Sequence, residues 1–320
     1  MVQWLVIGGG VVIVAVLVHQ APAASPPTIR CHGTAATVAG RATGATARAD
    51  GPGATMQPLP RHLHVDESLE AWPADLVRAR ASADARALAG ARWCLRRKRD
   101  GRFVAAFGPN GLHALVPRLA HEPGLASVLA ALESRDERAG VHATLPVAGL
   151  RDRLARLGLD ADRYAADTGL PLVPEPVRLE YAGRDRFARP LWLLAPAARA
   201  WRRMQAAARD DDIALHAISG WRSHDYQLGI FERKLARGQS VPQILAVNAA
   251  PGYSEHHAGT AMDIGTPDEP PAEESFEATP AFAWLHRRGG DFGFALSYPR
   301  GNRHGIVYEP WHWRWHPPAD

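Results

Sequence analysis

The chain has 320 residues, 46% of them hydrophobic and 22% charged, with a formal net charge of +4. This is ordinary globular chemistry, able to bury a core; it excludes a collagen-like, wholly disordered or disulfide-dense chain. The length allows two domains at roughly 100–200 residues each, and the basic balance suits an anionic partner such as a membrane surface, a wall polymer or nucleic acid without choosing among them.

The first element is an uncharged apolar run, Trp4 to Val18, followed by Ala21-Pro22-Ala23-Ala24-Ser25. An apolar run of this length before an Ala-x-Ala site has the form of a secretory signal. An uncleaved membrane anchor at residues 4–18 is the competing reading, although a span needs about 20 residues. Either reading of residues 1–24 exports the rest to the periplasm or cell envelope, which argues against a nucleic-acid partner. The two cysteines, Cys31 and Cys94, either pair in that oxidising compartment or are unrelated thiols. Neither has a second cysteine nearby, so a cysteine metal site is disfavoured.

Residues 25–64 read as a flexible linker, because Ala, Gly, Thr and Pro dominate and almost nothing large and apolar is there to bury. Residues 65–170 read as an accessory, mainly helical region. Leu69 to Leu88 carries a helical pattern, and the segments LASVLAALESRDE and VAGLRDRLARLG are two further helices. Between them, Arg92, Arg96, Arg97, Lys98, Arg99 and Arg102 cluster beside a short strand, RFVAAF. A solvated basic face is preferred there over contact with an anionic envelope polymer.

The last region, residues 171–320, opens with an extended pair over Val173 to Phe187, turning at Ala182-Gly183. Pro196 to Arg209 is an amphipathic helix whose stripe of Ala198, Trp201, Met204 and Ala208 belongs to a core. Ile213 to Ile218 is a strand running into SGWRS; Asp225 to Arg237 and Pro280 to Arg288 are helices.

Eight of the fifteen histidines lie from His216 onward, which invites a search for metal ligands there. Gly252 and Gly259 make a continuous helix implausible around Ser254-Glu255-His256-His257, so a loop carrying His256 feeds a short strand, TAMDI. In that strand Ala261 and Asp263 share one face and Met262 and Ile264 the other. Near the C-terminus, Trp311, Trp313 and Trp315 alternate with His312, Arg314 and His316, giving a core face and a polar face. Pro310 removes a ladder donor, and a bend there lets Glu309 converge with His312. Two imidazoles and a carboxylate with a fourth position open is a usual catalytic zinc set. His256, Asp263 and His312 are the expected ligands of one zinc ion per chain, with Glu309 as the base. Arg222, just after a strand, can hold a carboxylate or polarise a carbonyl.

Three elements in this order, SGWRS with Gln227, SEHHAGTAMD and EPWHWR, resemble the VanY-type D-alanyl-D-alanine carboxypeptidases of the LAS zinc metallopeptidases, over roughly Leu191 to His316. The resemblance implies an α+β domain: a small antiparallel sheet with flanking helices, LAS/Hedgehog-like. It implies removal of the terminal D-Ala from peptidoglycan stem peptides by attack of metal-bound water, with Glu309 as general base and Arg222 near the substrate carbonyl. Ser254, Gln227 and Ser223 become substrate contacts. His257 and His316 are then supporting or exposed groups, and Ser297 stands where the family often has Arg. The alternatives are a D-Ala-D-Ala dipeptidase, a peptidoglycan endopeptidase, or a zinc wall-binding module without turnover.

Overall fold

The computed structural model describes residues 61–79, 81–134 and 143–318, together with the backbone of Thr28–Ile29. The apolar run at 4–18, Cys31 and most of the expected linker lie outside the described residues. Among the described residues, no helix is long and apolar enough to cross a membrane.

The chain is α+β. Strand β1 (Thr28–Ile29) pairs in parallel with β4 (Arg78–Ala79). Between them come β2 (His62–Val65) and β3 (Leu69–Pro73); after them come α1 (Ser82–Ala89), β5 (Trp93–Arg97), β6 (Phe103–Gly108) and β7 (Gly111–Ala114). A 3-10 turn at Leu119–His121 is followed by three helices, α2 (Leu125–Glu133), α3 (Leu150–Arg156) and α4 (Ala161–Thr168). Strands β8 (Arg178–Arg184) and β9 (Pro190–Leu193) complete a seven-stranded antiparallel sheet in the order β7-β6-β5-β3-β2-β8-β9. This sheet takes strands from both sides of residue 170.

Three expectations are corrected here. The region 65–170 is strand-rich before it is helical. Leu69 to Leu88 is not one helix: Leu69–Pro73 is a strand, buried at every position and paired with both β2 and β5. Its apolar spacing fits a helix as well as a strand, but pairing on two sides decides the matter, and Pro73 cannot continue a helix. The expected linker boundary at residue 64 falls inside a strand, because β2 begins at His62. Ala182-Gly183 is no turn: β8 runs through it with a register shift between Tyr181 and Arg184. The chain reverses at residues 185–189, where Asp185 Oδ1 accepts from the Phe187 and Arg189 backbone N–H groups.

The basic cluster is neither a solvated face nor a free patch at its centre. Arg96 pairs with Glu70 at 2.8 Å, Arg97 with Glu122 and Asp100, and Lys98, buried, with Glu175 at 2.6 Å. Cys94 is a free, buried thiol, and burial pushes its pKa up to about 12.

The remainder comprises α5 (Ala195–Asp210), β10 (His216–Ser219), α6 (His224–Ala236), α7 (Val241–Leu245), β11 (Ala261–Gly265), α8 (Pro280–Arg288), β12 (Phe294–Leu296) and β13 (His312–Trp315), of which α7 and β12 are additions to the expected elements. Strands β10-β11-β13-β12 form a second, antiparallel sheet. Its core packs Met262, Ile264 and Trp313 against the Ala198, Trp201, Met204 and Ala208 stripe of α5. At β9 the two cores meet: Leu191 and Leu193 face the α5 core, while Trp192 packs with Trp72 on the other side.

Candidate metal centre

The register of the four-stranded sheet builds the site. Ser219 on β10 is the partner of Asp263 on β11, and Asp263 is the partner of His312 on β13. Three side chains thus lie in one row across neighbouring strands, spaced by the ladder itself. His256 arrives from a 3-10 turn, Glu255–Ala258, that ends at Gly259 with φ 67° and leads into β11. A side chain at Gly259 would strike Leu179 at 2.6 Å, so the loop packs closely on β8. Gly220 is needed for a similar reason: a Cβ there would meet Leu191 at 2.7 Å.

The donor atoms face one another. Asp263 Oδ1 lies 3.4 Å from His256 Nε2 and 3.3 Å from His312 Nδ1. All three residues are buried, and one donor atom from each lies within 4.8 Å of the others. Bonds of about 2.0 Å at tetrahedral angles place ligand atoms roughly 3.3 Å apart, so this set fits zinc. Asp263 Oδ1 is buried with no hydrogen-bond partner, whereas Oδ2 accepts from Ser219 Oγ at 2.6 Å and Arg222 Nη2 at 2.8 Å. An unpartnered buried carboxylate oxygen between two imidazoles is costly unless a cation satisfies it.

Each imidazole is held by its other nitrogen. His256 Nδ1 donates to the Gly220 carbonyl at 2.7 Å, which leaves Nε2 as the lone-pair nitrogen. His312 Nε2 lies 3.0 Å from Glu255 Oε2, and Arg314 Nη1 donates to Glu255 Oε1 at 2.9 Å. Such outer contacts fix ring orientation and raise ligand basicity. Glu255 and the Gly220 carbonyl went unassigned in the sequence reading. The alternation that puts His312 and Arg314 on one face of β13 was the available signal for a shared acidic partner.

The electrostatics agree. Burial lowers the His256 pKa to about 4, with Arg222 adding to it, so the ring is neutral. Burial alone would raise Asp263, but His256 and Arg222 hold it well below the usual carboxylate range. Burial works against the charged form of His312, yet the Asp263 and Glu255 carboxylates beside it raise it to about 10. Metal binding at His312 therefore releases a proton. The Glu309 carboxylate lies 3.6 Å from His312 Nδ1, beyond the bend at Pro310, and burial pushes it up to about 7 against the pull of His312.

Arg222 joins the group: Nη2 donates to Asp263 Oδ2, to His256 Nε2 at 2.7 Å and to Ser219 Oγ at 3.2 Å. Of the expected substrate contacts, Ser223 caps α6 by accepting from the Tyr226 N–H. Gln227 is buried, donates to the Ala249 carbonyl at 3.0 Å and keeps an unpartnered Oε1. Ser254 is buried at the entry to the His256 turn. His257 is fully buried and structural: Nδ1 donates to the Arg222 carbonyl and Nε2 accepts from the Gly252 N–H. His316 is exposed.

Residues 191–318 match the family model described as VanY, D-alanyl-D-alanine carboxypeptidase. A Bacillus subtilis (strain 168) protein bearing a carboxypeptidase name, YodJ, is 37% identical over 123 residues, 37% of this chain and 44% of that protein. A D-alanyl-D-alanine carboxypeptidase of Enterococcus faecium is 30% identical over 99 residues, covering 30% of this chain and 28% of its own length. The chain thus spans less than half the length of these two relatives. A variant of the vancomycin-resistance D,D-pentapeptidase VanY, solved in complex with Zn(II), is 26% identical with a TM-score of 0.34, covering 43% of this chain and 77% of that one.

Proposed function

We propose that this chain is a zinc-dependent D-alanyl-D-alanine carboxypeptidase that removes the terminal D-Ala from peptidoglycan stem peptides. The observation that carries the reading is the buried Asp263 Oδ1, unpartnered between His256 Nε2 and His312 Nδ1, with the Glu309 carboxyl beside them. The VanY-type match and the activities named for the two bacterial relatives support the same substrate class. One zinc ion per chain, held by those three donors, brings Lewis acidity and a lowered water pKa to the centre.

The chain's own residues do the rest. Glu309, with a pKa of about 7, is suited to take a proton from the attacking water and return it to the leaving amine near neutral pH. The Arg222 guanidinium, anchored on Asp263 and Ser219, stabilises charge on the substrate carbonyl oxygen. Ser254, before the His256 turn, and Ser223, at the start of α6, are further substrate contacts in this reading, with Gln227 buried behind them. The apolar run at 4–18 supports action outside the cytoplasm, in the cell envelope where this polymer lies, as a released or membrane-anchored protein.

The test is incubation with purified stem pentapeptide, read by mass, with and without chelator. Loss of one alanine, only without chelator, is the expected result. Glu309→Ala should keep its zinc and lose at least about 100-fold in rate, the lower bound for a general acid–base group. Near-full turnover by zinc-loaded Glu309→Ala would sink that role, and release of intact D-Ala-D-Ala would move the reading to a dipeptidase.

A further inference from the structure

A cleft of about 400 Å³ opens beside the metal centre, and Arg222 belongs to both. One wall is the Ser219–Ser223 loop. The opposite wall comes from the seven-stranded sheet, with Glu70, Trp72 and Arg96. Those three residues lie outside the matched segment 191–318. Arg189 and Trp192, from the β8–β9 hairpin, close the space between the walls.

The charges in this cleft are not symmetric in their exposure. Glu70, 2% exposed, already accepts from Trp72 Nε1 and Arg96 Nη1, both at 2.8 Å. Asp185, 5% exposed, is engaged by Arg189 Nε and by two backbone N–H groups. Asp100 accepts from Arg97 and from the Arg102 N–H. Three guanidiniums reach the cleft, Arg96 25% exposed, Arg189 24% and Arg222 21%, beside one exposed carboxylate, Asp100, at 36%.

These cations are held in place before any ligand arrives. Arg96 lies over the Trp72 ring at 5.6 Å and also donates from Nε to the Gly101 carbonyl. Arg189 donates from Nη2 to the Ile218 carbonyl at 2.9 Å. Little side-chain entropy remains to be lost on binding an anion. Trp72 and Trp192 supply the aromatic part of the lining. Fixed guanidiniums with free N–H groups and aromatic walls suit an extended peptide that carries a carboxylate. A cleft of this size also exceeds a single alanine, so it belongs with the part of the substrate that the enzyme retains.

We propose that this cleft holds the substrate peptide upstream of the scissile bond and takes one of its carboxylates on Arg96 and Arg189. The proposal rests on reading the centre as a peptidase. It assigns the seven-stranded sheet a role in substrate recognition.

The test is calorimetry on the full, zinc-loaded chain carrying Glu309→Gln, so that ligands are not turned over. Two pentapeptides are compared: L-Ala-γ-D-Glu-L-Lys-D-Ala-D-Ala and its D-isoglutamine counterpart, in which the upstream carboxylate is an amide. The acidic peptide should bind at least tenfold tighter. Adding Arg96→Gln, which keeps donors for Glu70 and Gly101, should shrink that ratio to within twofold and leave the affinity for free D-Ala-D-Ala unchanged. Equal affinities of the two peptides overturn the proposal, and this arm needs no cleft variant to fold. A ratio that survives both Arg96→Gln and Arg189→Gln overturns it as well. Release of D-Ala by the unsubstituted chain is assayed separately. A failed peptidase reading therefore shows there, whereas a failed cleft shows in the affinity ratio.

Discussion

The two sheets bury charge in opposite ways. In the seven-stranded sheet, Glu70 is satisfied by Trp72 and Arg96, and Lys98 meets Glu175 at 2.6 Å. Glu175 in turn accepts from the His224 N–H at 2.6 Å, at the start of α6. In the four-stranded sheet, Asp263, His256 and His312 aim atoms at one another, and one carboxylate oxygen finds no donor. Buried polar groups that satisfy each other hold a structure, while a buried carboxylate oxygen left without a donor is open to a cation. Burial by itself does not separate the two cases; the state of the remaining lone pairs does.

Asp263→Ala should break this contrast most severely. It removes a donor and the acceptor of Ser219 and Arg222 at once. Zinc affinity, measured by competition with a chromophoric chelator, should fall by more than the roughly 10–100-fold typical of losing an outer contact. Turnover should fall to background. Unchanged zinc affinity would show that the converging donors are a structural polar cluster like those of the other sheet.

Much of the centre was legible because strand alternation is a strict rule. TAMDI and the Trp-x-Trp-x-Trp run each expose a single polar face, and the ladder register then sets Asp263 opposite His312. The α5 stripe was legible for the same reason at helical period. What escaped depends on long-range pairing. Leu69–Pro73 looks helical until β2 and β5 flank it. Glu175 and Lys98 are 77 residues apart, and no local pattern joins them. Arg96 looked like a surface charge because its partner Glu70 lies 26 residues away on a neighbouring strand.

Lys98→Met tests the other half of the contrast. It leaves Glu175 buried and charged, which should cost about 3–5 kcal/mol in denaturant unfolding. The double variant Lys98→Met/Glu175→Gln should cost less than the single one, because the uncompensated carboxylate is gone and an acceptor for the His224 N–H remains. Zinc affinity of the folded fraction should stay close to that of the parent chain. A loss below about 1 kcal/mol for Lys98→Met would mean that this pair is not the support it resembles.

The smallest expected effect is on acid stability, and it belongs to β2. His62 and His64 sit with their Nε2 atoms 3.0 Å apart, packed against Trp93. Burial, with help from His64 and Arg178, lowers His62 from 6.5 to about 3, and burial with Arg178 lowers His64 to about 4. The folded chain therefore binds fewer protons than the unfolded chain between these values and 6.5. The stability this pair permits is complete above pH 6.5 and declines as the pH falls toward 4. Buried His256, lowered to about 4, adds a similar decline in the other sheet, but a zinc ligand there cannot take the proton freely. His62→Gln should therefore flatten part of the decline in zinc-loaded protein, by about 2 kcal/mol at pH 5 relative to pH 7.5. Denaturant midpoints across that range measure it. An unchanged pH profile in His62→Gln would place the acid sensitivity outside this pair, among buried histidines such as His224 and His257.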